Sequence, residues 1–409
     1  MPGHALEGLR VIEFTDEVGS YCGRLLADLG AEVIKVEPPG GGRQRHTPPF
    51  IDVLGESVDS SLAFWVHNTS KKSIVLDLNS GKDQNTARQL ALSADVVLED
   101  YPVGYLGARG LGFEALRGFK PSLVYTSVTG FGQTGPHSGY AYSDIVGQAM
   151  GGIMTLAGEM ADPPNMIYGN QANISASIHA AQGTLIAVLH ADATGEGQLV
   201  DVSAQEALSM NQETAMQTWD LQKRNRVRTG AAGLLPFQIP GSGVVRCRDG
   251  FVLLFVIAPA GKDFPELVAW MRESGMQEDL DHEPYASVCN ELGMALITRS
   301  MGDPTAAASI VPTFVHIQQV IERFFATMTA KDAYEQGQRR QLLVGVVSTP
   351  RDLANNTQLR ERDWFVRLPV DGTTIEFPGG PYRLSETPVA IGRPPNLGEH
   401  TDEILASLK

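Results

Sequence analysis

Cysteine is scarce: three residues in 409, Cys22, Cys247 and Cys289, lie far apart and in no metal or redox spacing. That excludes a disulfide framework and a four-cysteine zinc site, and it fits buried thiols in a reducing compartment. None of the nine histidines is followed four residues later by another, and His179 and His190 stand too far apart on one helix to chelate together. Positive charge is in deficit, with 32 Lys and Arg against 47 Asp and Glu and a net charge of -15. Nucleic acid and anionic membrane are therefore poor partners, and an anionic ligand needs a local basic cluster or helix N-termini. No apolar run reaches the ~20 residues of a spanning helix. The start, MPGHALEGLR, lacks the basic region and apolar core of a signal peptide, so a cytoplasmic protein is expected. There is no G-x-S-x-G elbow, internal repeat or low-complexity tract.

What is present is an ordinary globular composition, 43% hydrophobic and 19% charged, in a chain long enough for two domains. LRVIEF (9–14) and AEVIKVE (31–37) are short apolar runs separated by the helical stretch SYCGRLLADLG (20–30). Strand, helix, strand in under thirty residues opens a doubly wound fold. SIVLDL (73–78), DVVLED (95–100) and LVYTSV (123–128) continue it, and right-handed crossovers make a mostly parallel sheet with helices on both faces. Glu37 stands where a dinucleotide dehydrogenase places its ribose-binding acid, but the first turn, EFTDEVGSYCG, has no G-x-G-x-x-G. A nicotinamide enzyme is thus the weaker alternative.

From about residue 210 the pattern changes, and RNRVRTGAAGLLPFQIPGSG (224–243), basic and then rich in Gly and Pro, reads as a connection between domains. VVRCRDGFVLLFV (244–256) reads as a hairpin turning at Asp-Gly, a largely helical stretch follows to about 340, and GEHTDEILASL (398–408) makes a last helix.

Three places invite a functional interpretation. In GNQANISASIHAAQGTLIAVLH (169–190), Asn173 precedes the apolar positions Ile174, Ile178, Ala181, Leu185, Val188 and Leu189, which form one helical stripe. Asn173 is then the expected N-cap, and a cap accounts for it without any catalytic role. A helix N-terminus also stabilises an anion, and asparagine keeps the cap while losing the charge. Two glycine-rich loops, PPGGGRQR (38–45) and TGFGQTGP (129–136), follow strands. Their amides, at Gly130, Gly132 and Gly135 in the second, could cradle a phosphate or thioester oxygen, although either loop alone is also explained as a turn. Lys71 and Lys72 could meet phosphates, or could form a solvated charged turn.

Several stretches together resemble the class III CoA-transferase family, the formyl-CoA and carnitine CoA-transferase group that includes α-methylacyl-CoA racemase. LEGLRVIEFT, LLADLGAEVIKVEPPG, NTSKKSIVLDL, DVVLEDYPVGYLGARGLGFEAL, PSLVYTSVTGFGQTGP, SDIVGQAMGG, TGEGQLVDVS and LGEHTDEIL follow in the family's order across nearly the whole chain. The resemblance implies a large Rossmann-like domain built from both chain ends, beginning over 1–210 and completed by a return through 341–409, with a linker over 211–243, a smaller inserted α+β domain over 244–340, and two chains interlocked with active sites at their interface. It implies coenzyme A thioesters as substrates and no permanently bound cofactor. An aspartate attacks the donor acyl-CoA, giving a mixed anhydride and CoA thiolate; the thiolate attacks the anhydride, and the carboxylate passes CoA to the acceptor acid.

Asn173 falls where the family carries that aspartate, and an amide cannot form the anhydride. Other departures are Ser20 and Tyr21 in place of Gly-Pro, Pro38 in place of a basic contact, and Pro102 in place of arginine. The resemblance therefore implies a non-catalytic subunit paired with a paralogue that keeps the aspartate, as a heterodimer or heterotetramer using succinyl-CoA, with (R)-benzylsuccinate as the expected acceptor. An Asp-to-Asn variant of a homomeric enzyme and a non-enzymatic CoA-thioester-binding protein are the alternatives. A racemase would need a histidine in AYSD, where Ser143 stands.

Overall fold

β-Branched runs become the strands of one sheet: β1 (Arg10–Phe14), β2 (Glu32–Glu37), β3 (Lys72–Val75), β4 (Val96–Glu99), β5 (Val124–Thr129) and β6 (Leu199–Ser203). All five pairings are parallel, and the order is β3-β2-β1-β4-β5-β6. This is the doubly wound arrangement expected from the alternation of strands and helices, in which ligands meet the carboxyl ends of the strands. Successive side chains face opposite sides. Ile12, Phe14 and Val97 pack into one apolar layer, and Val11, Val96 and Leu98 into the other.

The computed structural model describes residues 3–232, 238–257, 264–301, 304–370 and 372–408. The chain divides into two units: Met1–Ile153, Met166–Met216 and Thr357–Lys409 form the first, Met154–Asn165 and Gln217–Asn356 the second. Against the expected segments, the crossings lie at 216/217 and 356/357, and a helix, Ala215–Gln222, occupies part of the stretch expected as linker. Residues 233–237 of that stretch lie outside the described residues.

In the second unit β7 (Ser242–Arg246) and β8 (Phe251–Phe255) pair antiparallel across the Asp-Gly turn, and β9 (Val344–Val346) adds a third strand. Helices Phe264–Glu273, Pro304–Phe325 and Ala330–Arg339 contribute Trp270, Phe314, Phe324 and Ala333 to its core. The first unit also carries a hairpin absent from the sequence expectation, β10 (Phe365–Val370) and β11 (Thr373–Pro378). Its Leu368, Val370 and Phe377 pack on Ile51 and Trp65.

The helix Gln171–Thr194 departs from the expected stripe. Its buried face is made of small residues, Ala172, Ala176, Ala180, Ala181, Thr184 and Ala187, whereas Ile178, Ile186 and Leu189 are 47%, 64% and 69% exposed. Small side chains let this helix lie close on the sheet; Leu185 and Val188 of the stripe are partly buried against the same core, while Ile178 and Leu189 of the stripe and the neighbouring Ile186 are turned outward. By length and composition the same helix could cross a membrane; here its alanine face is a layer of the doubly wound core.

Candidate active site

Asn173 is not the helix cap. The helix starts at Gln171, after Gly169 reverses the chain at φ 87°, so Asn173 is its third residue and is 3% exposed. The capping acceptor comes from another helix, Asp144–Met150: Asp144 Oδ1 accepts the Asn173 backbone N–H at 3.0 Å. Asp144 is itself held by Gln148, whose Nε2 donates to Asp144 Oδ2 at 2.8 Å and to the Ile167 carbonyl at 3.0 Å. A carboxylate at a helix N-terminus satisfies an orphan N–H and interacts favourably with the helix dipole.

The Asn173 side chain has one partner. The Tyr142 hydroxyl donates to its Oδ1 at 2.9 Å, while its Nδ2 is buried without a hydrogen-bond acceptor. Burial raises the Tyr142 phenol well above its ordinary pKa, so it stays a proton donor. Tyr142 lies over the glycine loop: a Cβ on Gly130 would overlap its ring, and a Cβ on Gly147 its hydroxyl. Phe131 meets the same ring edge-on at 5.8 Å. The structure therefore brings Asn173 and the 129–136 loop together through Tyr142, a residue that sequence reasoning missed.

The loop is set from the other side by strand register. Ser127 pairs with Glu99 on β4 and with Asp201 on β6. Ser127 Oγ donates to Glu99 Oε1 at 2.5 Å and accepts Gln133 Nε2 at 2.6 Å, and the Gln133 backbone N–H reaches Asp201 at 3.0 Å. Gly132 and Gly135 have φ of 83° and 89°, which glycine alone adopts without cost. Burial pushes Glu99 up to about 7, with Asp100 adding to the rise and Ser127 opposing it.

The first turn of the sheet is closed to outside anions. Backbone N–H groups of Asp16, Glu17, Val18 and Gly19 all donate to the Asp100 carboxylate, at 2.8, 2.9, 2.8 and 3.0 Å. Such convergent amides make an anion nest, the position where a dinucleotide fold holds pyrophosphate. Burial nevertheless raises Asp100 to about 6, the N–H bonds only partly offsetting it. Glu37 is likewise occupied: Arg45 binds it through Nε at 2.6 Å and Nη2 at 2.8 Å, and Ser73 donates at 2.6 Å. The 38–45 loop thus turns an arginine into the core, over the Phe64 ring at 3.6 Å.

Both lysines are engaged by carboxylates of this chain. Lys71 has a fully buried side chain whose Nζ lies 2.7 Å from Glu13 Oε2, 2.8 Å from the Ser20 carbonyl and 2.9 Å from Asn68 Oδ1. Glu13 also binds Lys35 at 2.9 Å, its direct neighbour in register. Burial brings Lys71 down to about 8, against the pull of Glu13. Lys72 pairs with Glu32 and Glu403, each at 2.9 Å. The sequence could not show that Glu13 would need two cations.

Comparison with known proteins agrees with this architecture. A model of "CoA-transferase family III" matches residues 6–401. The chain is 35% identical to the succinyl-CoA:(R)-benzylsuccinate CoA-transferase subunit BbsE of Thauera aromatica, over 98% of this chain and 94% of the relative. It is 31% identical to the succinate–glutarate CoA-transferase of Agrobacterium fabrum, over 99% and 96%. A crystal structure of a CAIB/BAIF family protein from Brucella suis superposes with a TM-score of 0.84 at 28% identity, covering 100% of both chains. With the family model matched over residues 6–401 and relatives above 30% identity spanning nearly the whole chain, the chain belongs to CoA-transferase family III.

Proposed function

We propose that this chain is the non-catalytic subunit of a heteromeric family III CoA-transferase that moves CoA from succinyl-CoA to a carboxylic acid, with (R)-benzylsuccinate as acceptor. The observation that carries this reading is Asn173, an amide whose oxygen is held by Tyr142 and whose nitrogen has no acceptor. Attack on a thioester carbonyl needs an available electron pair. The amide nitrogen delocalises its pair into the carbonyl, and the oxygen is already hydrogen-bonded. Glu99 is buried and Asp100 half-buried behind their own partners, and among the described residues no hydrogen bond or ion pair joins either to Asn173.

The nucleophile then comes from a paralogous chain in an interlocked heterodimer or heterotetramer. Support comes from the outward Ile178, Ile186 and Leu189 on the helix that carries Asn173, since contiguous exposed apolar surface is what an obligate partner covers. A further support is that the Thauera relative is named as a subunit. Within this arrangement Gly130, Gly132 and Gly135 line a shared or vestigial site for the acyl-CoA, which is a substrate and not a resident cofactor. The protein would act in the cytoplasm.

The test is acyl transfer from succinyl-CoA, with this chain alone and with the chain co-expressed with its paralogue. Activity confined to the co-purified complex is expected. Turnover by this chain alone would remove Asn173 as the deciding residue and overturn the assignment.

A further inference from the structure

A cavity of about 650 Å³ lies within the first unit, walled by the segment that leaves the β10–β11 hairpin and doubles back along it. Its lining includes Arg362, Trp364, Tyr382 and Arg383, with Asp363 as the acidic member. The wall is built by close approach: a Cβ on Gly379 would overlap the Trp364 carbonyl, so the chain passes directly beside Trp364. The return is tied down where the Ala390 N–H donates to the Asp28 carbonyl at 3.1 Å and the Gly392 N–H to Ser70 Oγ at 2.8 Å.

The residues gathered in its lining separate this cavity from an ordinary surface cleft. Several arginines of this acidic chain are paired with carboxylates, Arg24 with Asp28, Arg45 with Glu37, Arg360 with Glu376 and Arg393 with Glu399, whereas others are left to solvent or ligand. Among the described residues, neither the Arg362 nor the Arg383 guanidinium has an acceptor. The lining also holds two aromatic residues, the half-buried Trp364 and the exposed Tyr382, together with Arg362 and Arg383, both of them exposed and so accessible to a ligand. Its volume is in the range of small-molecule sites. Guanidinium groups bind carboxylate and phosphate through paired N–H bonds, and indole and phenol faces accept flat rings.

We propose that this cavity binds an aromatic compound bearing two anionic groups, their oxygens held by Arg362 and Arg383 and its ring against Trp364 and Tyr382. Two sources carry that chemistry, the nucleotide end of coenzyme A and an aryl dicarboxylic acid. The proposal rests on the cavity's own residues and not on which chain holds the nucleophile, so it is tested by binding and not by turnover.

The experiment titrates the full-length chain calorimetrically with adenosine 3′,5′-bisphosphate and, separately, with benzylsuccinate. Arg362→Ala/Arg383→Ala, Arg362→Lys/Arg383→Lys and Trp364→Phe are run alongside. The expected result is saturable binding of one or both compounds, weakened at least tenfold in the double alanine variant and less in the double lysine variant, with ligand-induced quenching of tryptophan fluorescence lost in Trp364→Phe. Binding of the bisphosphate alone assigns the site to coenzyme A, and binding of the diacid alone assigns it to the acid. Neither arginine holds another residue, so unchanged circular dichroism is expected in the variants. Binding by neither compound, or equal binding by the wild type and the double alanine variant, overturns the proposal.

Discussion

The Tyr142 hydroxyl and the Asn173 side chain are joined by one hydrogen bond of 2.9 Å, and nothing else holds the amide. Tyr142→Phe keeps the ring against Gly130 but leaves both polar atoms of Asn173 buried without partners. An unsatisfied buried polar group costs about 1–3 kcal/mol. Urea unfolding of Tyr142→Phe should show a loss of that size with an unchanged m-value. A variant as stable as the wild type would mean that water already serves the amide.

Lys71 and Glu13 make the second prediction. Lys71→Met removes one of two cations from a fully buried carboxylate, and breaking such a pair from one side costs about 3–5 kcal/mol. Adding Glu13→Gln leaves Lys35 unmatched, so recovery in the double variant should be partial. CoA binding by the assembled complex should stay as it was once the variant is folded, and a selective loss of CoA affinity would return Lys71 to the ligand.

These two pairs mark how much the sequence discloses. Strand positions were legible because buried parallel strands are continuous apolar runs, and β1 to β5 fall where LRVIEF, AEVIKVE and their successors lie. Asn173 was legible as a position through the family motif, but not as the third residue of its helix. That depends on Gly169 and on Asp144, which caps from 29 residues away. The outward Ile178 and Leu189 ran against the expected stripe, because an apolar stripe does not reveal whether it faces its own sheet or something outside the chain. The pairing of Ser127 with both Glu99 and Asp201 is a matter of register across three strands, which no local pattern encodes.

The outward stripe gives the third prediction. Ile186→Glu with Leu189→Glu places two charges on positions 64% and 69% exposed in the single chain, so its own fold should survive. If a paralogue covers this face, co-purification should be lost while circular dichroism is retained. An intact complex would place the partner elsewhere.

Glu99 predicts a pH dependence. Its carboxyl is raised by burial to about 7, and Asp100 and Asp201 also face it and push the same way. Between about 4.5 and 7 the folded state holds a proton that the unfolded chain has released. Stability contributed by this group is therefore full below about 4.5 and falls as pH rises to 7, by at most about 1.4 kcal/mol per pH unit. Asp100, raised to about 6, has the same sign. Denaturant midpoints from pH 4.5 to 8 should fall in the wild type and fall less steeply in Glu99→Gln; parallel profiles would remove Glu99 as the titrating group.

The four N–H groups around Asp100 carry a consequence for ligands. A carboxylate tethered by its own strand is present at an effective concentration set by covalent geometry, typically millimolar or higher. Any soluble phosphate would have to outcompete it at the mouth of the sheet and leave a buried anion stranded in doing so. The dinucleotide socket of this architecture thus holds a built-in occupant, and these four amides are not available to a ligand.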